Sequence, residues 1–199
     1  FTSNAQVSCS FMIHVDGANG TDNGTCGTEG SPCASINQGI DRAIDEGYSD
    51  VRISSNTNYL EVIEMVGGIS LWGGFDAQWA ATGLTTITGG LAGNGEFYAI
   101  RADAINTSTV LSDLEIIAPD ALTAGKSSYG VHITNSTGLL VQRVTVQGGL
   151  GADGTPGANG TNSSTTGANG GNGGDSDEFT TSCNDDDSGD GGGGAITSG

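Results

Sequence analysis

The chain of 199 residues carries 5 Lys plus Arg against 23 Asp plus Glu, which gives a formal net charge of −18. Because this charge repels phosphate, the composition argues against nucleic-acid binding and against association with anionic membrane surfaces. The sequence contains no apolar run long enough to cross a bilayer, so no membrane insertion is expected in this segment. Its length suits one globular domain or one elongated repeat domain.

Residues 1–34 are predicted to form an N-terminal strand and a cysteine-containing cap loop. Apolar residues alternate through 10–15, which places Phe11, Ile13 and Val15 on one face of a strand. The following stretch is rich in Gly, Asn and Asp, which is typical of turns.

The four cysteines are too irregularly spaced for a zinc site of the paired kind. Cys26 and Cys33 flank a short polar loop, and we expect a disulfide between them, which implies an oxidising compartment. The sequence leaves open whether Cys9 pairs with Cys183. It also leaves open whether glycans are attached at six Asn-x-Ser/Thr sequons, at Asn19, Asn23, Asn106, Asn135, Asn159 and Asn162.

One amphipathic helix is predicted after Ser35, which is a favourable N-cap residue. Gln38 stands three positions later, as in a capping box, and Gly47 ends the helix. The apolar residues recur at helical spacing, at Ile36, Ile40, Ala43 and Ile44. A short amphipathic helix of this kind often closes the end of a solenoid.

Strand-sized apolar runs follow the helix at 51–54, 59–65, 69–72 and 85–88. The Gly73-Gly74 pair after the third run predicts a tight turn.

The sequence then repeats itself. The pattern of 98–102 returns at 129–133, and that of 107–116 returns without a gap at 137–146. Apolar residues alternate in each block, but the alternation slips by one residue at 111–114 and again at the equivalent place in the second copy. A slip of this kind indicates a corner between two short strands.

Two turns of a β-solenoid explain the repeat most simply. We therefore predict an all-β right-handed parallel β-helix, with the capping helix and the coils over 35–148. Arg101 and His132 occupy equivalent outward positions and are expected to stack about 4.8 Å apart.

A Gly-, Asn- and Asp-rich loop is predicted over 149–193, inserted in one coil. Residues 194–198 resemble 131–135, so a further coil is expected to start at 194–199. These features predict that the chain is part of a longer protein.

The acidic part of this loop suggests calcium, because its sequence partly matches two kinds of calcium-binding loop. The candidate ligands are carboxylates: Asp175, Asp177, Asp185, Asp186, Asp187 and Asp190. The alternative is a solvated acidic loop that binds no metal.

Several segments together resemble the N-terminal cap and first coils of secreted bacterial right-handed parallel β-helix proteins, of the pectate-lyase-like superfamily in the broad sense. They are His-Val-Asp-Gly-Ala-Asn-Gly-Thr-Asp at 14–22, the cysteine segment 26–36, the helix 38–44, Ser-Leu-Trp-Gly-Gly-Phe-Asp at 70–76 and Thr-Thr-Ile-Thr-Gly at 85–89. The resemblance covers about residues 13–148 and implies a secreted or cell-surface location. It implies little about activity, because this fold carries lyases, hydrolases, adhesins and fibres.

No catalytic group is predicted. The stacked Arg101 and His132 are a candidate ligand face for an anion, although two solvated side chains are the simpler interpretation. Trp72, Phe75 and Trp79 suggest either a carbohydrate-stacking platform or, as we favour, residues that close the core.

The sequence therefore favours a non-catalytic extracellular or cell-surface protein that is structural or adhesive. Its expected partners are further copies of itself or cell-surface polysaccharides. The alternative is a carbohydrate-active enzyme, a polysaccharide lyase or glycoside hydrolase, whose catalytic coils lie partly beyond residue 199.

Overall fold

The computed structural model describes residues 11–160, which are mostly β with one short helix. The chain divides into two compact units, Phe1–Thr155 and Pro156–Gly199, and the helix and all the strands described here lie in the first. The predicted loop from residue 161 onward and the predicted coil at 194–199 lie outside the described residues. Within 11–160, no helix has the length and apolar character needed to span a membrane.

The first strand, β1 (Ile13–Val15), is covered along one edge by the cysteine loop. Cys26 and Cys33 form the predicted disulfide, while Cys9 and Cys183 lie outside the described part. The amide of His14 donates to the carbonyl of Gly27 at 2.9 Å, and the amide of Cys33 donates to the carbonyl of His14 at 3.0 Å. The loop therefore satisfies main-chain groups that an open sheet edge would expose.

The helix α1 (Ile36–Glu46) has the predicted caps. The hydroxyl of Ser35 accepts from the amide of Gln38 at 3.2 Å, and Gly47 ends the helix in a left-handed conformation with φ of 70°. The other half of the capping box is replaced, since the amide of Ser35 donates to Asp22 Oδ1 at 3.0 Å. The cap loop thus holds the start of the helix.

A second carboxylate from far along the chain binds the first turn of α1. Glu61 accepts hydrogen bonds from the amides of Ile36, at 2.9 Å, and Asn37, at 3.1 Å. A carboxylate at this end also opposes the positive end of the helix dipole.

Ten further strands follow α1: β2 (Asp50–Ser54), β3 (Asn58–Leu60), β4 (Ile63–Glu64), β5 (Ser70–Phe75), β6 (Thr85–Thr88), β7 (Gly90–Leu91), β8 (Phe97–Asp103), β9 (Thr109–Ile117), β10 (Ser128–Thr134) and β11 (Leu139–Gln147). The run predicted over 59–65 is two strands, β3 and β4, separated where the side chain of Glu61 turns toward α1.

The strands form two sheets that are parallel except for the β7–β8 pair. The larger has the order β1-β2-β5-β9-β6-β3, with β11 also paired to β9, and the smaller has the order β10-β8-β4, with β7 paired to β8. The first part of β9 pairs with β5 and its second part with β6. β9 can pair with two consecutive strands because its backbone turns at Asp113, where φ is 59°. The sheet curls at this turn.

The register predicted from the repeat is confirmed. We call residues 97–117 the first repeat and 128–147 the second repeat. Ile100 lies opposite Val131, and Leu111 lies opposite Val141. The slip in alternation is the turn of the backbone at Asp113, which recurs at its counterpart Arg143 with φ of 49°.

The inward apolar residues form one core through the stacked strands. In the first repeat they are fully buried, as at Ile100 and Leu111. Equivalent positions in the second repeat are much more exposed: Val141, opposite Leu111, is 40% exposed, Ile133, opposite Ala102, 46%, and Val146, opposite Ile116, 49%. The second repeat therefore presents an apolar edge that no described residue covers.

Three local predictions are wrong. Phe11 precedes β1 and is 65% exposed, so it does not share a buried face with Ile13. Ile44 is 52% exposed, because two steps of four residues drift by about 80° around a helix of 3.6 residues per turn. Gly73 and Gly74 lie inside β5 rather than in a turn, where a Cβ at Gly73 would lie 2.3 Å from the carbonyl oxygen of Asp113.

Candidate functional site

The outer face of the smaller sheet carries the stacked pair predicted from the repeat. Arg101 and His132 lie opposite each other in β8 and β10. Arg101 is already engaged by two carboxylates, with Nη1 3.5 Å from Glu64 Oε2 and Nη2 3.1 Å from Asp103 Oδ2. The ring of His132 stacks on Tyr129, with centroids 4.6 Å apart. The charge that would bind an anion here is therefore balanced within the face.

Tyr98 belongs to the same face and donates its phenol hydrogen to Glu64. Burial, together with this hydrogen bond, raises the pKa of Tyr98 to about 12. The phenol therefore stays protonated at physiological pH and acts as a hydrogen-bond donor that orients Glu64.

The carboxylates on the larger sheet also join neighbouring strands. Asp113 accepts a hydrogen bond from Arg143, which lowers the pKa of Asp113. Glu115 accepts a hydrogen bond from the hydroxyl of Thr86 at 3.0 Å. Asp113 and Glu115 therefore each hold two neighbouring strands together.

A cavity of about 760 Å³ opens beside the N-terminal edge of the larger sheet, between the cysteine loop, β1 and the end of α1. We call it the cap cavity. Phe11 and Tyr48 form one wall with their rings stacked 5.5 Å apart, and His14, Glu29 and Arg52 bring polar groups to it.

The strand register positions the polar side of the cap cavity. His14 in β1, Arg52 in β2 and Trp72 in β5 lie directly opposite one another, so their side chains form one outward row. Arg52 also borders a smaller cavity of about 240 Å³ together with Trp72 and Phe75. Its guanidinium carbon lies 5.0 Å from the centroid of the Phe75 ring, which fixes the charge by a cation–π contact.

The expectation that Trp72, Phe75 and Trp79 close the core is wrong. All three side chains are half-buried on the outside of the larger sheet. The indole of Trp72 donates to Asp50 Oδ1 at 2.7 Å, and Trp79 packs edge-on against His14 with centroids 4.5 Å apart. Trp72 belongs to the polar row, and Phe75 and Trp79 lie beside it, against Arg52 and His14.

His14 is the most constrained polar residue of this row. It is 6% exposed, and its Nδ1 lies 3.4 Å from the carbonyl oxygen of Gly27, which can only accept a hydrogen bond. Burial lowers the pKa of His14 below its usual value. The neutral ring therefore carries its proton on Nδ1, and its Nε2 has no hydrogen-bond partner in the described part of the chain.

Sequence reasoning missed the cap cavity. Alternation within β2 places Arg52 on the outside, but the pairing of β1 with β2 crosses the cap loop and α1 and has no counterpart in the repeat. One available signal was charge, because Arg52 is among only five Lys and Arg residues in the chain.

The metal prediction remains outside the described part of the chain, since its ligands begin at Asp175. Within residues 11–160, no group of three or more His, Cys, Asp or Glu side chains is arranged to hold a metal ion. No family model matches the sequence, and no significant match to it was found among curated proteins or solved structures.

Proposed function

We propose that the chain is a non-catalytic structural or adhesive module of an extracellular or cell-surface protein, folded as a right-handed parallel β-helix. The stacking of the second repeat on the first carries this proposal, because identical positions pair in register and continue one core. A rigid rod that grows by adding coils is suited to displaying loops at a distance from a surface.

The apolar edge of the second repeat supports a stack that continues. Val141 is 40% exposed, whereas its counterpart Leu111 is fully buried under the second repeat. In the proposal the segment 194–199 begins the coil that covers this edge, as its similarity to 131–135 predicts. The Gly- and Asp-rich loop between them, ordered by calcium, carries the contacts with other copies or with cell-surface polysaccharide.

The Cys26–Cys33 disulfide supports an extracellular location, because such bonds persist in oxidising compartments. Antibody labelling of intact source cells tests this part, with an expected signal before permeabilisation. Labelling only after permeabilisation would refute it.

Paired substitutions test the coil stack. Val141→Lys places a charge on the apolar edge, and the neighbouring Gln142→Lys places it on the opposite face of the same strand. If a further coil covers the edge, Val141→Lys should lower the stability by more than about 2 kcal/mol, and Gln142→Lys by a few tenths at most. Equal, small effects of the two substitutions on thermal unfolding would sink the proposal.

A carbohydrate-active enzyme is the second candidate, and the outward position of Trp72, Phe75 and Trp79 is the observation that favours it. Aromatic rings beside a groove are suited to stacking on sugar rings. Release of reducing ends from neutral and acidic polysaccharides separates the candidates. The structural proposal expects no turnover, whereas turnover that is lost on substituting outer-face acids would establish the enzyme.

A further inference from the structure

One cation that lines the cap cavity has no ionic partner in the part of the chain that the structure describes. Arg42, Arg101 and Arg143 each lie within 4.0 Å of a carboxylate, but the side chain of Arg52 forms neither an ion pair nor a hydrogen bond with any described residue. In a chain with a net charge of −18, carboxylates are abundant. Arg52 lines both the cap cavity and the smaller cavity, and within residues 11–160 no acceptor binds its guanidinium.

The same cavity contains an anion, Glu29, and its one close partner among residues 11–160 cannot donate. Glu29 Oε1 lies 3.7 Å from Nε2 of His14, beyond hydrogen-bond distance. Because Nδ1 of the neutral ring holds the proton, Nε2 is also an acceptor, and the two acceptors face each other without a donor between them. The Glu29 side chain is 68% exposed and free to turn toward a bound donor.

Apolar surface completes the cavity. Phe11 is 65% exposed and stacks on Tyr48, and Met12 also lines the cavity. The Arg42–Glu46 ion pair also borders the cavity, but its charges neutralise each other. A complementary ligand thus needs one anionic group, one cationic group and an apolar body.

We propose that the cap cavity binds a zwitterionic α-amino acid with a large apolar side chain. Its carboxylate pairs with Arg52, its ammonium group donates to Glu29, and its side chain covers Phe11 beside Tyr48. The cavity volume of about 760 Å³ lies within the range of small-molecule sites.

Three matched compounds test the two charges separately. L-Phenylalanine has both, 3-phenylpropanoate lacks the ammonium group, and phenethylamine lacks the carboxylate. Binding to the full chain is followed by calorimetry and by tryptophan fluorescence. The fluorescence is specific, because the only two tryptophans are Trp72, beside Arg52, and Trp79, against His14. L-Phenylalanine should bind at least about tenfold more tightly than either analogue, since each charged contact contributes about 1.5 kcal/mol or more.

Two variants assign the charges to residues. In Arg52→Met, L-phenylalanine and phenethylamine should bind equally weakly, because the carboxylate has lost its partner. In Glu29→Gln, L-phenylalanine and 3-phenylpropanoate should become equal. The matched controls Lys126→Met and Glu96→Gln remove the same charges away from the cavity and should leave all three affinities unchanged, and near-ultraviolet circular dichroism checks that each variant is folded.

The proposal is overturned if L-phenylalanine at millimolar concentration gives neither heat nor a fluorescence change. It is also overturned if an analogue binds as tightly as L-phenylalanine, or if Lys126→Met weakens binding as much as Arg52→Met.

Discussion

Arg143 binds Asp113 at the corner where both repeats turn. Its Nε lies 2.5 Å from Asp113 Oδ1, and its Nη2 lies 2.8 Å from the hydroxyl oxygen of Ser112. Arg143 and Asp113 both have a left-handed backbone, with φ of 49° and 59° respectively. This conformation is unfavourable for residues with a Cβ. The ion pair therefore joins two strained positions and helps to keep the repeats in register.

Arg143→Met should lower the thermal midpoint slightly at pH 7, because the side chain of Arg143 is 59% exposed and solvent weakens the pair. The hydrogen bond from Arg143 lowers the pKa of Asp113. The contribution of the Arg143–Asp113 pair to the free energy of unfolding is therefore complete above the unfolded-state pKa of Asp, about 3.9. It is lost as the pH falls through the lower folded-state pKa of Asp113. Thermal unfolding at pH 7 and near pH 2 should show a difference that disappears in acid. A difference that persists there would contradict this origin.

His14→Gln should flatten the dependence of stability on pH between about 7 and 5. Burial lowers the pKa of His14 from 6.5, although Glu29 and the carbonyl of Gly27 oppose this effect and Arg52 adds to it. The stability that depends on a neutral His14 ring is complete above the unfolded-state pKa of histidine. It is lost as the pH falls through the lower folded-state pKa of His14.

Urea unfolding across this pH range measures the effect. If stability depends on pH equally in His14→Gln and in the wild type, His14 is not the cause of the pH dependence.

Gly39→Ala should destabilise the protein although it improves helix propensity. A Cβ at Gly39 would lie 2.4 Å from Cγ2 of Val15, where α1 packs on β1. Overpacking costs about 1–3 kcal/mol, which outweighs the gain of roughly 1 kcal/mol from replacing Gly in a helix. Asp41→Ala on the exposed side of α1 is the control and should be neutral or slightly stabilising. Chemical denaturation compares the two, and a more stable Gly39→Ala variant would refute the close packing.

Ala104→Asn should stabilise the first repeat by about 0.5 kcal/mol. Ala104 has a φ of 56° and is exposed, and its counterpart in the second repeat is Asn135 with a φ of 49°. Asn tolerates the left-handed conformation better than Ala does. Ala104→Val is the opposing control and should destabilise, since β-branched residues avoid this conformation. Thermal unfolding should rank Asn above Ala and Ala above Val.

Replacing both Cys26 and Cys33 by Ser should lower the stability by about 2–3 kcal/mol, as expected for a short closed loop. The loop covers the edge of β1, so the variant should also associate at high concentration through the exposed strand. Denaturation curves and sedimentation velocity measure the two effects. Reduced wild type should behave like the variant, and a wild type that is unaffected by reductant would count against the loop as edge cover.

The repeat is the part of the fold that the sequence predicts best. Aligning 98–102 with 129–133 is equivalent to stating the register of β8 and β10, because each strand pairs with its own copy. The same alignment gives the corner at Asp113 and Arg143 and the stacking of Arg101 on His132. Local signals also suffice for the Ser35 cap and the Cys26–Cys33 disulfide.

The cap cavity was not predictable in the same way. Its walls come from segments that share no repeat, and the register between β1 and β2 depends on how the intervening loop and helix pack. The orientation of Trp79 depends on the segment between β5 and β6, which folds back so that its ring meets His14. Such placements arise from tertiary packing rather than from local periodicity.

The carboxylate that completes the start of α1 comes from Glu61, which lies 25 residues after Ile36. During synthesis the ribosome releases the helix well before it releases this acceptor. The amides of the first turn therefore remain hydrated until β3 has emerged and docked. The hydrogen bonds to Glu61 form only together with the strands that follow α1.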